Sequence, residues 1–228
     1  MHVPDGFINA PVSAVAGVIA IGGVAVCLRG ARRELDERTA PLAGLVAAFV
    51  FALQMLNFPV ALGTSGHLLG GTLAAVLVGP YTGALCVAVV LLVQALFFAD
   101  GGLTALGINI TVMAMVTTVV GYGLVVLIRR VLPSRPSSVV PAAFVGALVS
   151  VPVAAAAFTV FYAIGGTTGL PILGVLGAMV GVHVLIGIGE ALITSLVVGS
   201  VIAVRPDLVY AARPYVQPLE IRGSAASS

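Results

Sequence analysis

Charge is scarce in this chain. Only 8% of its 228 residues are charged and 60% are hydrophobic, with a mean hydropathy of +1.21. A soluble domain carries about a quarter charged residues. The polar surface here is too small to cover a water-soluble globule, so lipid is the solvent for most of the chain. Lysine is absent, and all ten basic residues are arginine. A net charge of +2, without a basic patch outside the loops, argues against nucleic-acid binding. The two cysteines, Cys27 and Cys86, lie in apolar runs without CxxC spacing, which excludes a disulfide framework and leaves small apolar packing residues. The opening residues lack the positive charge of a secretory signal peptide, and Asp5 is the first charged side chain. There is no Walker-type P-loop and no Rossmann fingerprint. If the protein moves a solute uphill, its ATPase is another chain.

What is present is length in apolar runs. Seven stretches approach the roughly 20 residues that cross a hydrocarbon core. They run over about 11–28, 41–60, 68–78, 82–99, 103–128, 139–164 and 171–204. The arginines test this map. They stand at 29, 32, 33, 38, 129, 130, 135, 205, 213 and 222. With seven crossings and the N-terminus outside, every one falls in an inner loop or the C-terminal tail. The outer segments then carry only Asp5 and Asp100 as charges. This is the positive-inside pattern, and removing the short third span would place Arg129 and Arg130 outside. The expectation is an all-α membrane protein. It is a bundle of about seven transmembrane helices, with the N-terminus outside, the C-terminus cytoplasmic, and a multi-pass position in the plasma membrane of a prokaryote. Residues 1–205 form the transmembrane domain, and 206–228 a loose cytoplasmic tail. The third stretch is short enough to be tilted or enclosed by protein. The last is long enough to overrun the bilayer. Ser13-xxx-Gly17 and Ala16-xxx-Ala20 offer close-packing faces, either for the bundle itself or for another membrane subunit.

Few side chains can carry chemistry. Histidine at position 2 is too large for ordinary removal of Met1, so the expected start is a free amine, one peptide bond and an imidazole. The Met1 amine, the His2 backbone nitrogen and His2 Nδ1 can close two fused chelate rings in one plane. A fourth nitrogen would complete a square, the geometry of Ni(II), Cu(II) or low-spin Co(II). His67 is the candidate fourth ligand, in the glycine-rich outer connection Gly63-Thr64-Ser65-Gly66-His67-Leu68-Leu69-Gly70-Gly71. Ser65, Thr64 or a backbone carbonyl could hydrogen-bond its other ring nitrogen and fix the tautomer. Spacing alone leaves open a plainer reading of both histidines as a surface residue and a loop hydrogen-bonder. Within the last span, His183 and Glu190 are seven apart and share a face. A deep carboxyl group is costly in lipid, so Glu190 is either a hydrogen-bond anchor or part of gating. His183 is at most a supporting group. Gln54, Asn57 and Gln94 are polar residues in spans two and four, suited to interhelical hydrogen bonds or to lining an outer cavity.

Several blocks together resemble one family. Met1-His2-Val3-Pro4-Asp5-Gly6-Phe7, Gln54-Met55-Leu56-Asn57-Phe58-Pro59, the His67 block, Asp100-Gly101-Gly102-Leu103-Thr104-Ala105-Leu106-Gly107 and the run from His183 to Thr194 resemble the CbiM/NikM family. Its members are the substrate-capture components of energy-coupling-factor (ECF) transporters for cobalt and nickel. The resemblance covers almost the whole chain short of the tail. It implies an N-terminal segment inserted into the bundle, with metal held by nitrogens of the first two residues and the loop histidine: Met1, His2 and His67. It implies transported Co2+ or Ni2+ rather than a resident cofactor. It also implies a coupling membrane subunit of the CbiQ/NikQ type, ATPases of the CbiO/NikO type and often a small accessory membrane subunit. The chain is then a transporter subunit, not an enzyme. A capture subunit or permease for a small organic molecule such as a vitamin explains the helices but leaves Met1-His2 unused. An intramembrane enzyme built on Glu190 and His183 lacks a nucleophile.

Overall fold

The computed structural model describes residues 2–36, 39–56, 58–59 and 65–216. Among these the protein is all-helical apart from a two-residue antiparallel pair, Phe58–Pro59 with Ser65–Gly66. Five helical runs are long and apolar enough to cross a membrane. The first is α1, Ala10–Glu34. Its start is capped by the Asn9 side chain, which accepts the Val12 amide at 3.1 Å, and Pro11 sits in its first turn where a missing N–H costs nothing. The others are α4 (Pro80–Phe97), the run Leu106–Arg129, α7 (Val139–Gly165) and α8 (Ile172–Val204). A shorter apolar helix, α2, spans Thr39–Gln54.

The third apolar stretch is short and enclosed by protein, one of the two arrangements its length allowed. Its helix, α3, covers only Gly71–Val78, eight residues or about 12 Å, and all eight are buried. Gly70 at φ +78° and Gly79 at φ +100° bound it, and Pro80 then opens α4. A helix so short cannot cross alone, and it survives at the bundle centre because protein replaces lipid around it. The long eighth helix has 33 residues, about 50 Å, so its length exceeds the roughly 30 Å hydrocarbon core.

Small residues set the close contacts. Ser13, Ala16 and Ala20 are buried, and a Cβ on Gly107 would strike the Ala16–Gly17 backbone. The small face of α1 therefore packs inside the bundle against α5 (Leu106–Asn109). The run continues as a π-helical segment, Ile110–Val116, and then as α6, Thr117–Arg129. In α7, Pro152 cannot donate to the carbonyl of Leu148, and Gly187 of α8 comes so close that a Cβ there would lie 2.9 Å from that oxygen.

The loose tail requires correction over its first part. Residues 206–216 form 3-10 turns, Pro206–Leu208 and Tyr210–Tyr215, with Val209, Ala211 and Ala212 buried. The Arg129 guanidinium donates to the Ala211 carbonyl and to the Tyr215 hydroxyl, and lies over the Tyr215 ring. Apolar burial plus a cation–π contact makes this segment part of the bundle. Residues 217–228 lie outside the described residues.

Candidate metal site

The site begins with the threading of residues 2–9 through the bundle. On one side runs the connection after α4. The Val3 carbonyl accepts the Gly102 amide at 2.8 Å, and the Val3 amide donates to Asn109 Oδ1 at 2.9 Å. Asp5 Oδ1 accepts the Thr104 amide at 2.8 Å and its hydroxyl at 2.5 Å. These bonds hold the exposed Asp5 carboxyl below its ordinary range, the Thr104 hydroxyl contributing most. On the other side runs the α7–α8 connection. The Asn9 amide donates to Gly165 O at 2.7 Å and the Thr167 amide to Phe7 O at 3.2 Å. The Phe7 ring packs on Tyr162 at 5.4 Å between centroids. Glycine is required where the two strands meet: a Cβ on Gly102 would collide with the Asp5 backbone, and one on Gly101 would lie 3.0 Å from the His2 ring.

This threading brings His2 to His67. Both are buried. Their ring centroids are 4.5 Å apart, with His67 Nε2 3.1 Å from His2 Nδ1. His67 Nδ1 lies 2.7 Å from the Leu68 carbonyl, so in the neutral ring the proton sits on Nδ1 and the lone pair of Nε2 faces His2. Burial, with His2 among the neighbours, holds the His67 imidazole well below the usual histidine range. Such a ring is neutral at physiological pH, the form a metal ion requires. His2 Nε2 lies 3.1 Å from Gln94 Oε1, and its Nδ1 lies 3.0 Å from an Asp100 carboxylate oxygen. In a neutral His2 ring the one proton sits either on Nδ1, towards His67 and Asp100, or on Nε2, towards Gln94, and only the second tautomer leaves Nδ1 open to a metal ion.

The backbone that carries His67 is pinned from below. Glu190 accepts the Leu69 amide at 2.6 Å and the Gly70 amide at 3.0 Å, while the Gln54 side-chain amide donates to the Leu69 carbonyl at 2.8 Å. Glu190 therefore satisfies amides that open α3, where a helix N-terminus favours negative charge. The structure thus gathers His2, His67 and Gln94, with Glu190 holding the loop. His183 stands apart: it is buried, and its Nδ1 bonds the Met179 carbonyl at 2.7 Å. Ser65 is described by its backbone pairing with Pro59 alone. Met1 and Asn57 lie outside the described residues. Among the described residues no three His, Cys, Asp or Glu side chains are grouped to hold a metal ion. Sequence reading missed Asp100 and Asn109 as partners of the N-terminal segment. The Asp100-Gly101-Gly102 run held the signal, since paired glycines after an acid mark a close backbone approach. It also missed Glu34, the last residue of α1. This buried acid accepts the Tyr81 amide at 3.2 Å and the Thr82 amide at 2.7 Å.

Five helices able to cross a membrane, with an N-terminal segment inserted among them against a loop histidine, describe a helical membrane protein. The family comparison makes this specific. The model of the cobalt uptake substrate-specific transmembrane region, CbiM, matches residues 2–208, and the chain belongs to that family. The chain is 40% identical over 209 residues to the putative fused nickel transport protein NikMN of Archaeoglobus fulgidus, covering 92% of this chain and 68% of that one. It is 38% identical to a putative metal transport protein of Haloquadratum walsbyi, over 92% of this chain and 94% of the relative. Among solved structures, a truncated transition metal transporter superposes with a TM-score of 0.82 at 30% identity, covering 89% of this chain and 99% of that chain.

Proposed function

We propose that this chain is the substrate-capture component of an ECF-type ABC transporter that takes up Co2+ or Ni2+. The ion is held by the Met1 amine, the His2 backbone nitrogen, His2 Nδ1 and His67 Nε2. The observation that carries this reading is the 3.1 Å separation of His67 Nε2 from His2 Nδ1. Two nitrogens bound at about 2.0 Å and at right angles on one ion stand about 2.8 Å apart, so a small shift of either ring admits the metal between them. In the fused chelate the fourth ligand is adjacent to His2 Nδ1, which is where His67 stands. Binding releases protons from the terminal amine and the His2 amide, so affinity falls in acid.

The arginine distribution supports an outward-facing N-terminus, seven crossings and a position in the plasma membrane of a prokaryote. Release inward then requires a coupling membrane subunit of the CbiQ/NikQ type and CbiO/NikO-type ATPases, with a small accessory membrane subunit in some assemblies.

The test is titration of purified protein with Ni(II) and Co(II), beside a variant with alanine inserted between Met1 and His2. The insertion keeps every side chain and lengthens the chelate. The expected loss of affinity is about 100-fold or more, and unchanged affinity sinks the ligand set. Mass spectrometry of the N-terminus checks that the Met1 amine is free.

A further inference from the structure

Two concavities adjoin at the arginine-bearing end of α1. A polar pocket of about 320 Å³ is bounded by Arg29, Arg33, Glu34, Tyr81 and Tyr210. A groove of about 480 Å³ rises from it between α1, α4 and the run Leu106–Arg129, past Gly23, Ala84, Met115, Val119 and Gly123. Val26 and Tyr81 border both, so a cationic mouth and an apolar body adjoin across these two side chains.

The mouth presents positive charge. Arg29 and Arg33 are exposed and stand four apart on α1, on one helix face. Glu34 also borders the pocket, but both its oxygens accept amide N–H groups of Tyr81 and Thr82. The Tyr81 ring lies directly over Gly30, where any Cβ would collide with it, and an exposed tyrosine beside arginines is what a membrane–water boundary selects. The apolar body has the length of one leaflet. Thr111 to Gly123 spans about 18 Å along the helix, and half the hydrocarbon core is about 15 Å.

We propose that this pair of concavities binds one anionic phospholipid, with its phosphate between Arg29 and Arg33 and an acyl chain in the groove beside α6. Charge complementarity selects the headgroup, and the continuous apolar lining selects a lipid over a soluble anion. The proposal does not depend on which metal is carried.

The experiment uses purified protein exchanged into detergent with equal amounts of phosphatidylglycerol and phosphatidylcholine, read by native mass spectrometry and thermal stability. The expected result is one retained phosphatidylglycerol, favoured by about 5-fold to 30-fold, the effect of one to two arginines near an anionic lipid. Arg29→Gln with Arg33→Gln abolishes the preference. Gly123→Leu lowers retention of both lipids, since a Cβ there meets nothing within 4 Å and the side chain enters the groove without collision. Val119→Phe, at a position 70% exposed, is a second way to fill it, and Ni(II) titration confirms that each variant is folded. Equal retention of the two lipids overturns the proposal. So does displacement of the lipid by inorganic phosphate with Gly123→Leu silent, which marks an anion site only. Unchanged lipid retention in Gly123→Leu, together with failed assembly with the other transporter subunits, also overturns it and makes the groove a protein-docking surface.

Discussion

Glu190 and Glu34 perform one task at two places. Each is a buried glutamate whose two oxygens accept two consecutive backbone amides at the start of a helix, Leu69 and Gly70 before α3, and Tyr81 and Thr82 in the first turn of α4. Between them lies α3, buried at every residue. The difference is in what hangs on each clamp. Glu190 grips the backbone two and three residues past His67, so it fixes the direction of a proposed ligand. Glu34 grips the opposite end, beside the arginines, where no metal-binding nitrogen is near. The same carboxylate chemistry therefore holds the loop of the proposed ligand at one end and secures the bundle at the other.

Substitutions can separate the two roles. The largest effect is expected from His67→Ala, which removes the loop ligand: affinity for Ni(II) falls about 100-fold or more with the fold intact, and calorimetric titration measures it. Glu190→Gln comes next. Its amide group can accept from one backbone N–H but presents a donor to the other, so the loop turns and metal affinity falls about 10–100-fold. If binding is unchanged while stability drops, the two clamps are equivalent and the contrast fails. Glu34→Gln should do the reverse, costing about 1–3 kcal/mol in denaturation of the purified protein through an unsatisfied buried amide, with Ni(II) affinity unaltered. The smallest effect is expected at Asp5. Its carboxyl titrates below the ordinary range, so the stabilising contact with Thr104 is complete above the unfolded carboxylate range and is lost only as pH falls through the lowered native value. Asp5→Asn should release metal a few-fold faster in stopped-flow exchange, yet leave the pH profile between 5 and 8 unchanged. A profile that moves would mean that Asp5, rather than the ligand nitrogens, sets the acid limit.

Much of this was legible because charge is so rare. With ten arginines and no lysine, the basic residues gather in two connections and the C-terminal segment, and His2 and His67 stand out as two of three histidines. Gln94 was recognised only as a polar residue in a helix, since its bond to His2 spans 92 positions and no local pattern encodes that. Glu34 was hidden among Arg29, Arg32 and Arg33, where an acid reads as a solvated loop residue although the structure buries it. The third span was legible as short, but its apolar residues mark burial without saying whether lipid or protein does the burying, so tilting and enclosure stayed open until the structure showed enclosure. Residues 206–216 read as tail because prolines and charges masked the buried trio Val209, Ala211 and Ala212.

The threading of the N-terminal segment also sets an order of events during synthesis. Ile8 pairs with Gly166, a partner made 158 residues later, the difference between 166 and 8. At about 5–20 residues per second, Ile8 is made roughly 8–30 s before its partner. The neighbours of His2 itself, His67, Gln94 and Asp100, are made earlier within that interval. The N-terminal segment is therefore fully seated only after the α7–α8 connection has been made.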